Sequence, residues 1–169
     1  MLSDIDISHE EIRNSMERME EIPFDSDRKL MSTKYMLHGV PTLLTKGALD
    51  VLLKRTDKIH LSDGILPMTD AYRKDILNTN MEFSQQGLRV LAFCYKEIEE
   101  ENVLSLEDEY GYTFLGLISM MDPPREESKD AVTDAKAAGI RPVMITGDHK
   151  ITATAIAKQI GIFENDDMA

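Results

Sequence analysis

Tryptophan is missing from these 169 residues, aromatic side chains supply only 6%, and cysteine occurs once, at Cys94. A single cysteine excludes an internal disulfide framework and fits a reducing compartment. No apolar run approaches the ~20 residues that a membrane-crossing helix needs, and no charged-then-apolar leader opens the sequence. Basic side chains are scarce beside acidic ones, 19 against 31, for a formal charge of −12. The clustered Lys and Arg that track a nucleic-acid backbone are therefore lacking, and no nucleic acid is expected as a partner. The four histidines, His9, His38, His60 and His149, have no metal-ligand spacing. What is present is globular composition, 42% hydrophobic and 30% charged. A chain of this length buries roughly 70% of its unfolded surface, enough for one core or two small ones. Composition alone predicts a soluble, acidic protein of one or two domains.

Ser8-His9-Glu10-Glu11 reads as a capping box followed by Ile12, Met16 and Met19 at helical spacing, which predicts a helix over about 9–21, stopped by Pro23. Residues 30–37 and 40–45 read as strands joined tightly at His38-Gly39. A short helix is expected after Lys46-Gly47, then a loop containing Gly64 and Pro67. A longer helix runs from a Thr69 cap to about Gln86, closed by Gly87. Residues 88–96 and 112–120 are the most strand-like stretches, and the acidic run between them, Glu97 to Glu109, reads as a solvated loop. From Asp122-Pro123-Pro124 onward the pattern changes to a helix reaching Ala138, a buried-looking strand over 140–145 and a second helix ending at Gly161. Such alternation implies parallel strands with right-handed crossovers, whereas the first half reads as an antiparallel sheet with helices. The expected fold class is α/β (α+β), in two regions meeting near residues 120–125.

Four stretches could carry chemistry. In 144–162 a hydrophobic strand ends at Thr146-Gly147-Asp148 just before a helix, where an open parallel sheet binds phosphate groups; a plain turn with an Asp cap explains the same tripeptide. In 23–31 Phe24 could stack on a flat base and Lys29 reach a polar edge or phosphate, although a Phe before a strand is ordinarily core. In 43–50 Lys46 and Gly47 stand at a strand end where a cation can meet an anion, without the spacing of a Walker A loop. Arg89 opens the strand at 89, and the period-2 pattern leaves its direction open. Asp4 and Asp6 imitate the paired aspartates of haloacid dehalogenase-type phosphatases, but no buried strand precedes them. Cys94 lies in an apolar strand and reads as a structural thiol.

Taken in order, PFDSDRKLM, TKGA, GLRVLA, MMDPPR and MITGDHKITATAIAKQIGI resemble the cytoplasmic part of P-type cation-transporting ATPases, closest to the branch with bacterial calcium-type pumps. The likeness runs from about Ile22 to Gly161. It implies a nucleotide-binding domain, lacking its first part, over 1–121. A hinge and part of a Rossmann-like haloacid dehalogenase-type phosphorylation domain would follow over 122–169. It further implies that Phe24 stacks on the adenine of ATP, with Lys29 and Met31 lining the pocket and Lys46 and Gly47 at its floor. Arg89 would meet the phosphates, Thr146, Gly147 and Asp148 the transferred phosphoryl group, and Asp122, Pro123, Pro124 and Arg125 would form the hinge. The Asp-Lys-Thr-Gly-Thr element that accepts the phosphoryl group is not in this sequence, nor is the Gly-Asp-Gly-x-Asn-Asp element that holds Mg2+; Leu49-Asp50 replaces the Pro-Glu that many relatives carry after Lys-Gly-Ala. The expectation is thus a soluble piece of a membrane pump. It would bind nucleotide without hydrolysing it, and its partners would be the remaining phosphorylation domain, the actuator domain and the membrane helices. A stand-alone noncatalytic nucleotide-binding module and a small phosphatase are the alternatives.

Overall fold

The computed structural model describes residues 10–12, 16–101, 103–120, 124–147 and 150–163. Their Cα atoms cluster into two compact units, one from residues 1–70 with 91–117 and one from 71–90 with 118–169.

The first unit is built on a sheet with strand order β1-β2-β3-β6-β7-β4-β5. Three strands come first in sequence: β1 (Glu17–Asp25), β2 (Leu30–Leu37) and β3 (Val40–Gly47). They pair antiparallel in succession. His38 and Gly39, both at positive φ, make the turn between β2 and β3 in the left-handed geometry that a two-residue hairpin requires. The predicted helix over 9–21 is corrected here. Residues 10–12 are helical, but from Glu17 the backbone is strand β1. The spacing of Ile12, Met16 and Met19 fits a helix, yet Met19 enters β1 as the extra residue of a β-bulge between Arg18 and Glu20. Pairing with β2 decides between the two, as tertiary context commonly overrides local preference. Pro23 does not stop a helix; it lies within β1, the outermost strand, where a missing N–H is tolerated.

After β3 come a single helical turn, α1 (Leu49–Leu52), and a 3₁₀ turn over Leu53–Arg55. The loop expected around Gly64 is instead a hairpin of β4 (Thr56–Leu61) and β5 (Gly64–Pro67), closed at Ser62-Asp63. Strands β6 (Arg89–Glu97) and β7 (Tyr112–Met120) fall where the sequence predicts. The sheet is nevertheless mixed, because β4 runs parallel to β7. Leu30, Leu43, Leu52 and Ala92 are fully buried beside Ile59, Cys94 and Phe114, and they form the core.

The second unit contains α2 (Asp70–Gln85), α3 (Glu126–Ala137) and α4 (Lys150–Gln159). The predicted strand over 140–145 is not formed. Residues 140–146 have no strand hydrogen bonding, and Val143 and Ile145 are 71% and 94% exposed. A parallel strand is held only by its neighbours in the sheet. Among the described residues no strand lies beside this one, and the parallel strand of the expected haloacid dehalogenase-like β/α segment is not formed among them. No helix of the described residues is long and apolar enough to cross a membrane.

Candidate functional site

Phe24 lies at a β-bulge. Ile22 pairs with Ser32 and Asp25 with Leu30, so Pro23 and Phe24 together face the single residue Met31. A bulge bends its strand and re-aims a side chain, and here it leaves Phe24 63% exposed. An exposed aromatic ring offers a flat apolar face on which a planar ligand can stack.

The turn that follows is tightly held. The Asp25 carboxylate Oδ1 accepts hydrogen bonds from the backbone N–H of Asp27 at 3.0 Å and of Arg28 at 2.9 Å. Lys29 N–H bonds the Asp25 carbonyl at 2.6 Å. Lys29 itself sits at φ 58°, a left-handed conformation that a β-carbon disfavours. Its carbonyl in turn accepts from Ala48 N–H at 3.1 Å, which ties the β1–β2 turn to the end of β3.

Gly47 makes that tie possible. A β-carbon there would stand 2.2 Å from the Lys29 carbonyl oxygen and 2.7 Å from Leu30 Cδ2. Gly47 therefore opens no space for a ligand: the room left by its missing side chain is filled by the neighbouring backbone and Leu30. Next to it, Lys46 is exposed and Met31 half-buried. Strand register sets Met31 opposite Lys46, and Lys46 opposite Phe93 on β6. With adjacent strands about 4.8 Å apart, the row from the bulge to Lys46 spans about 10 Å of backbone. It presents an aromatic, a thioether and a cation. Phe93 was not singled out in the sequence, although its place in a regular strand was predictable; only the register with β3 brings it beside Lys46.

Beneath the turn lies a polar cluster that sequence reasoning missed. Glu109 is fully buried. Its carboxylate is ion-paired with Arg28, accepts from Ser32 Oγ at 2.5 Å, and meets Arg55 Nη1 at 3.1 Å. Arg28 Nη2 also donates to the Pro23 carbonyl at 2.5 Å, reaching back across its own turn to the bulge. The Arg55 guanidinium lies 4.8 Å from the centre of the Tyr110 ring. From Ser32 a chain of hydroxyls continues through Thr45 at 2.8 Å to the Tyr112 phenol at 2.7 Å. Burial pushes Tyr112 up to about 12 and the Cys94 thiol up to about 11, despite hydrogen bonds that favour the ionised forms. Cys94 is a free, buried thiol, in keeping with the structural role its apolar strand suggests. Glu109 is the exception to the solvated acidic loop. A buried carboxylate survives only with its oxygens satisfied, and its partners are 54 to 81 residues away in sequence. The nearest sequence signal is the run Arg28-Lys29 with Ser32.

The other candidate residues lie elsewhere. Arg89 is the exposed first residue of β6 and belongs to the second unit. Arg125 precedes α3 as an exposed N-cap in extended conformation, and Pro124 is half-buried. Thr146 and Gly147 are exposed, ahead of α4. Asp122, Pro123 and Asp148 lie outside the described residues. Among the described residues no cluster of three or more His, Cys, Asp or Glu side chains is arranged to hold a metal ion.

Comparison with known proteins gives this arrangement a context. The sequence is 47% identical over 162 residues to a calcium-transporting ATPase of Listeria monocytogenes, covering 95% of this chain and 18% of that protein. A calcium-transporting ATPase 1 of Lactococcus lactis is 43% identical, again over 95% of this chain and 18% of the relative. One from Bacillus cereus is 48% identical over 88% of this chain and 17% of the relative. The chain therefore spans less than a fifth of the length of these curated relatives. Residues 1–127, which contain the bulge, the Lys46–Gly47 strand end and the Glu109 cluster, match the family model described as P-type ATPase, cytoplasmic domain N, and the chain belongs to the P-type ATPase family.

Proposed function

We propose that the bulge, the Asp25–Lys29 turn and the end of β3 form the base-binding face for ATP in the cytoplasmic part of a cation pump. The observation that carries this reading is the exposed Phe24 ring in one row with Met31 and Lys46. A purine presents a flat π-face and polar edges. Stacking on an aromatic contributes about 1–3 kcal/mol per base, and Lys29 and Lys46 add cations in an otherwise acidic protein. Gly47 serves by letting the two backbones close together. Arg89 is assigned to the phosphates, and Thr146, Gly147 and Asp148 to the phosphoryl side. Residues 1–121 act as the nucleotide-binding portion and 122–169, with Asp122, Pro123, Pro124 and Arg125 as hinge, as the start of the phosphorylation domain.

In a phosphoryl-transfer pump of this kind catalysis rests on positioning the γ-phosphoryl group and neutralising its charge, which is where Mg2+ contributes. These 169 residues contain no Asp-Lys-Thr-Gly-Thr acceptor element, so the chain binds nucleotide without turning it over. In the longer protein it works with the remaining phosphorylation domain, an actuator domain and membrane helices, facing the cytoplasm. Calcium is the proposed cargo, by analogy with the relatives' names; ion-stimulated ATP hydrolysis in membranes holding the whole pump tests it. For the chain itself, AMP and ATP are titrated into isotope-labelled protein. Comparable shifts with both ligands at Phe24, Met31 and Lys46, lost in Phe24→Ala, are expected. Absence of shifts at these residues, or their survival in Phe24→Ala, would refute the site.

A further inference from the structure

We propose that Glu109 is a positioning residue for the base-binding face, acting through Arg28 on the bulge that presents Phe24. The inference rests on the nucleotide reading above and goes beyond it, because Glu109 lies beneath the face and touches no ligand. Its carboxylate is buried, and both of its oxygens are engaged by cationic side chains. One of these, Arg28, is a turn residue whose other guanidinium nitrogen holds the Pro23 carbonyl. Pro23 and Phe24 are the pair that makes the bulge. A continuous path therefore runs from a fixed carboxylate ahead of β7, through one planar guanidinium, to the peptide preceding Phe24. Ser32, also on Glu109, anchors the first part of β2 beside the same turn. The geometry suits Arg rather than Lys at position 28, because a single group must satisfy a carboxylate and a carbonyl in a fixed fork.

The second cation provides the internal control. Arg55 binds the other carboxylate oxygen but comes from the 3₁₀ turn before β4, remote in sequence from the bulge. Removing it perturbs Glu109 without cutting the path to Phe24. A purely structural cluster would make all three residues equivalent for ligand binding; a positioning role separates them.

The test is AMP affinity by titration of the full chain, together with urea unfolding, for Glu109→Gln, Arg28→Lys, the double variant and Arg55→Gln. Glu109→Gln and Arg28→Lys should each weaken AMP about tenfold, the scale of one charge-assisted hydrogen bond. The double variant should be no weaker than either alone, and the free protein should show shifted Phe24 signals. Arg55→Gln should lower the urea midpoint and leave AMP affinity within twofold. If Glu109→Gln does not fold, Arg28→Lys carries the comparison with Arg55→Gln. Affinity within twofold of wild type in folded Glu109→Gln or Arg28→Lys, or an equal loss in Arg55→Gln, would overturn the proposal. If wild-type protein gives no shifts at Phe24 with AMP, it is the nucleotide reading that fails.

Discussion

Gly47→Ala is the sharpest single perturbation of this site, because the structure specifies what the added methyl meets. The Lys29 carbonyl oxygen lies 2.2 Å from the new β-carbon, Leu30 Cδ2 2.7 Å and Leu30 Cα 3.0 Å. Two of these three atoms are backbone, so a rotamer change cannot clear the clash. The Lys29 carbonyl must retreat by about 1 Å, and it is already fixed by the Ala48 N–H bond at 3.1 Å and by a left-handed φ. Overpacking of this kind costs about 1–3 kcal/mol, and the upper end applies where backbone must move. Loss of the Ala48 bond adds about 1 kcal/mol. Against these stands the gain of about 0.4–1 kcal/mol from stiffening the unfolded chain. The expected net cost is about 3 kcal/mol.

The comparison that makes this decisive is Gly116→Ala. Gly116 lies within β7, has no positive φ, and a β-carbon there meets nothing within 4 Å. That substitution should be neutral or stabilising by about 0.5 kcal/mol. Urea unfolding followed by far-UV circular dichroism measures both, and AMP titration of the folded fraction shows whether displacement of the turn also weakens the base-binding face. Unfolding free energies of the two variants within 1 kcal/mol of each other would refute the account of Gly47.

The remaining predictions concern the buried network and its titration. Tyr112 and Cys94 are raised to about 12 and about 11 in the folded protein, from 10.0 and 9.0. Between these values the folded chain holds protons that the unfolded chain has released, so their stabilisation is full below pH 9 and declines as pH rises from about 9 to 12. Urea midpoints at pH 8, 9 and 10.5 should fall over the last interval, and less so in Tyr112→Phe; a flat profile would count against the burial of both groups. The Cys94 thiol should be inert to a disulfide reagent at pH 8 and react at the rate of unfolding once urea is added. Thr45→Val and Tyr112→Phe should each cost about 1 kcal/mol, and the double variant clearly less than the sum, since they break the same hydrogen bond. Additive costs would mean that the two hydroxyls are not coupled.

What the sequence made legible follows the range of the forces involved. The β2–β3 hairpin, α2, β6, β7 and the C-terminal ends of α3 and α4 are specified by neighbours a few residues apart, and they appear where turn residues and periodicity put them. β1 was misread because Ile12, Met16 and Met19 satisfy a helix locally, while the strand is stabilised by partners 5 to 19 residues downstream, from Leu30 to Met36. The apolar run over 140–145 was misread in the opposite sense. Its composition is right for a parallel strand, but hydrophobic residues do not make a strand unless another supplies the hydrogen bonds. The site divides in the same way. Phe24, Lys29 and Lys46 could be picked out as residue types standing at element ends, and a resemblance in motif order joined them before any geometry did. The reason for Gly47 was not legible, since it lies in a carbonyl 18 residues earlier. Glu109 was least legible of all. It stands in a run of carboxylates that all look solvated, and only the return of β7 to the sheet brings Arg28, Ser32 and Arg55 around one of them. A charge run thus conceals its structural member, because what distinguishes a buried carboxylate from its neighbours is the identity of partners that the local sequence does not contain.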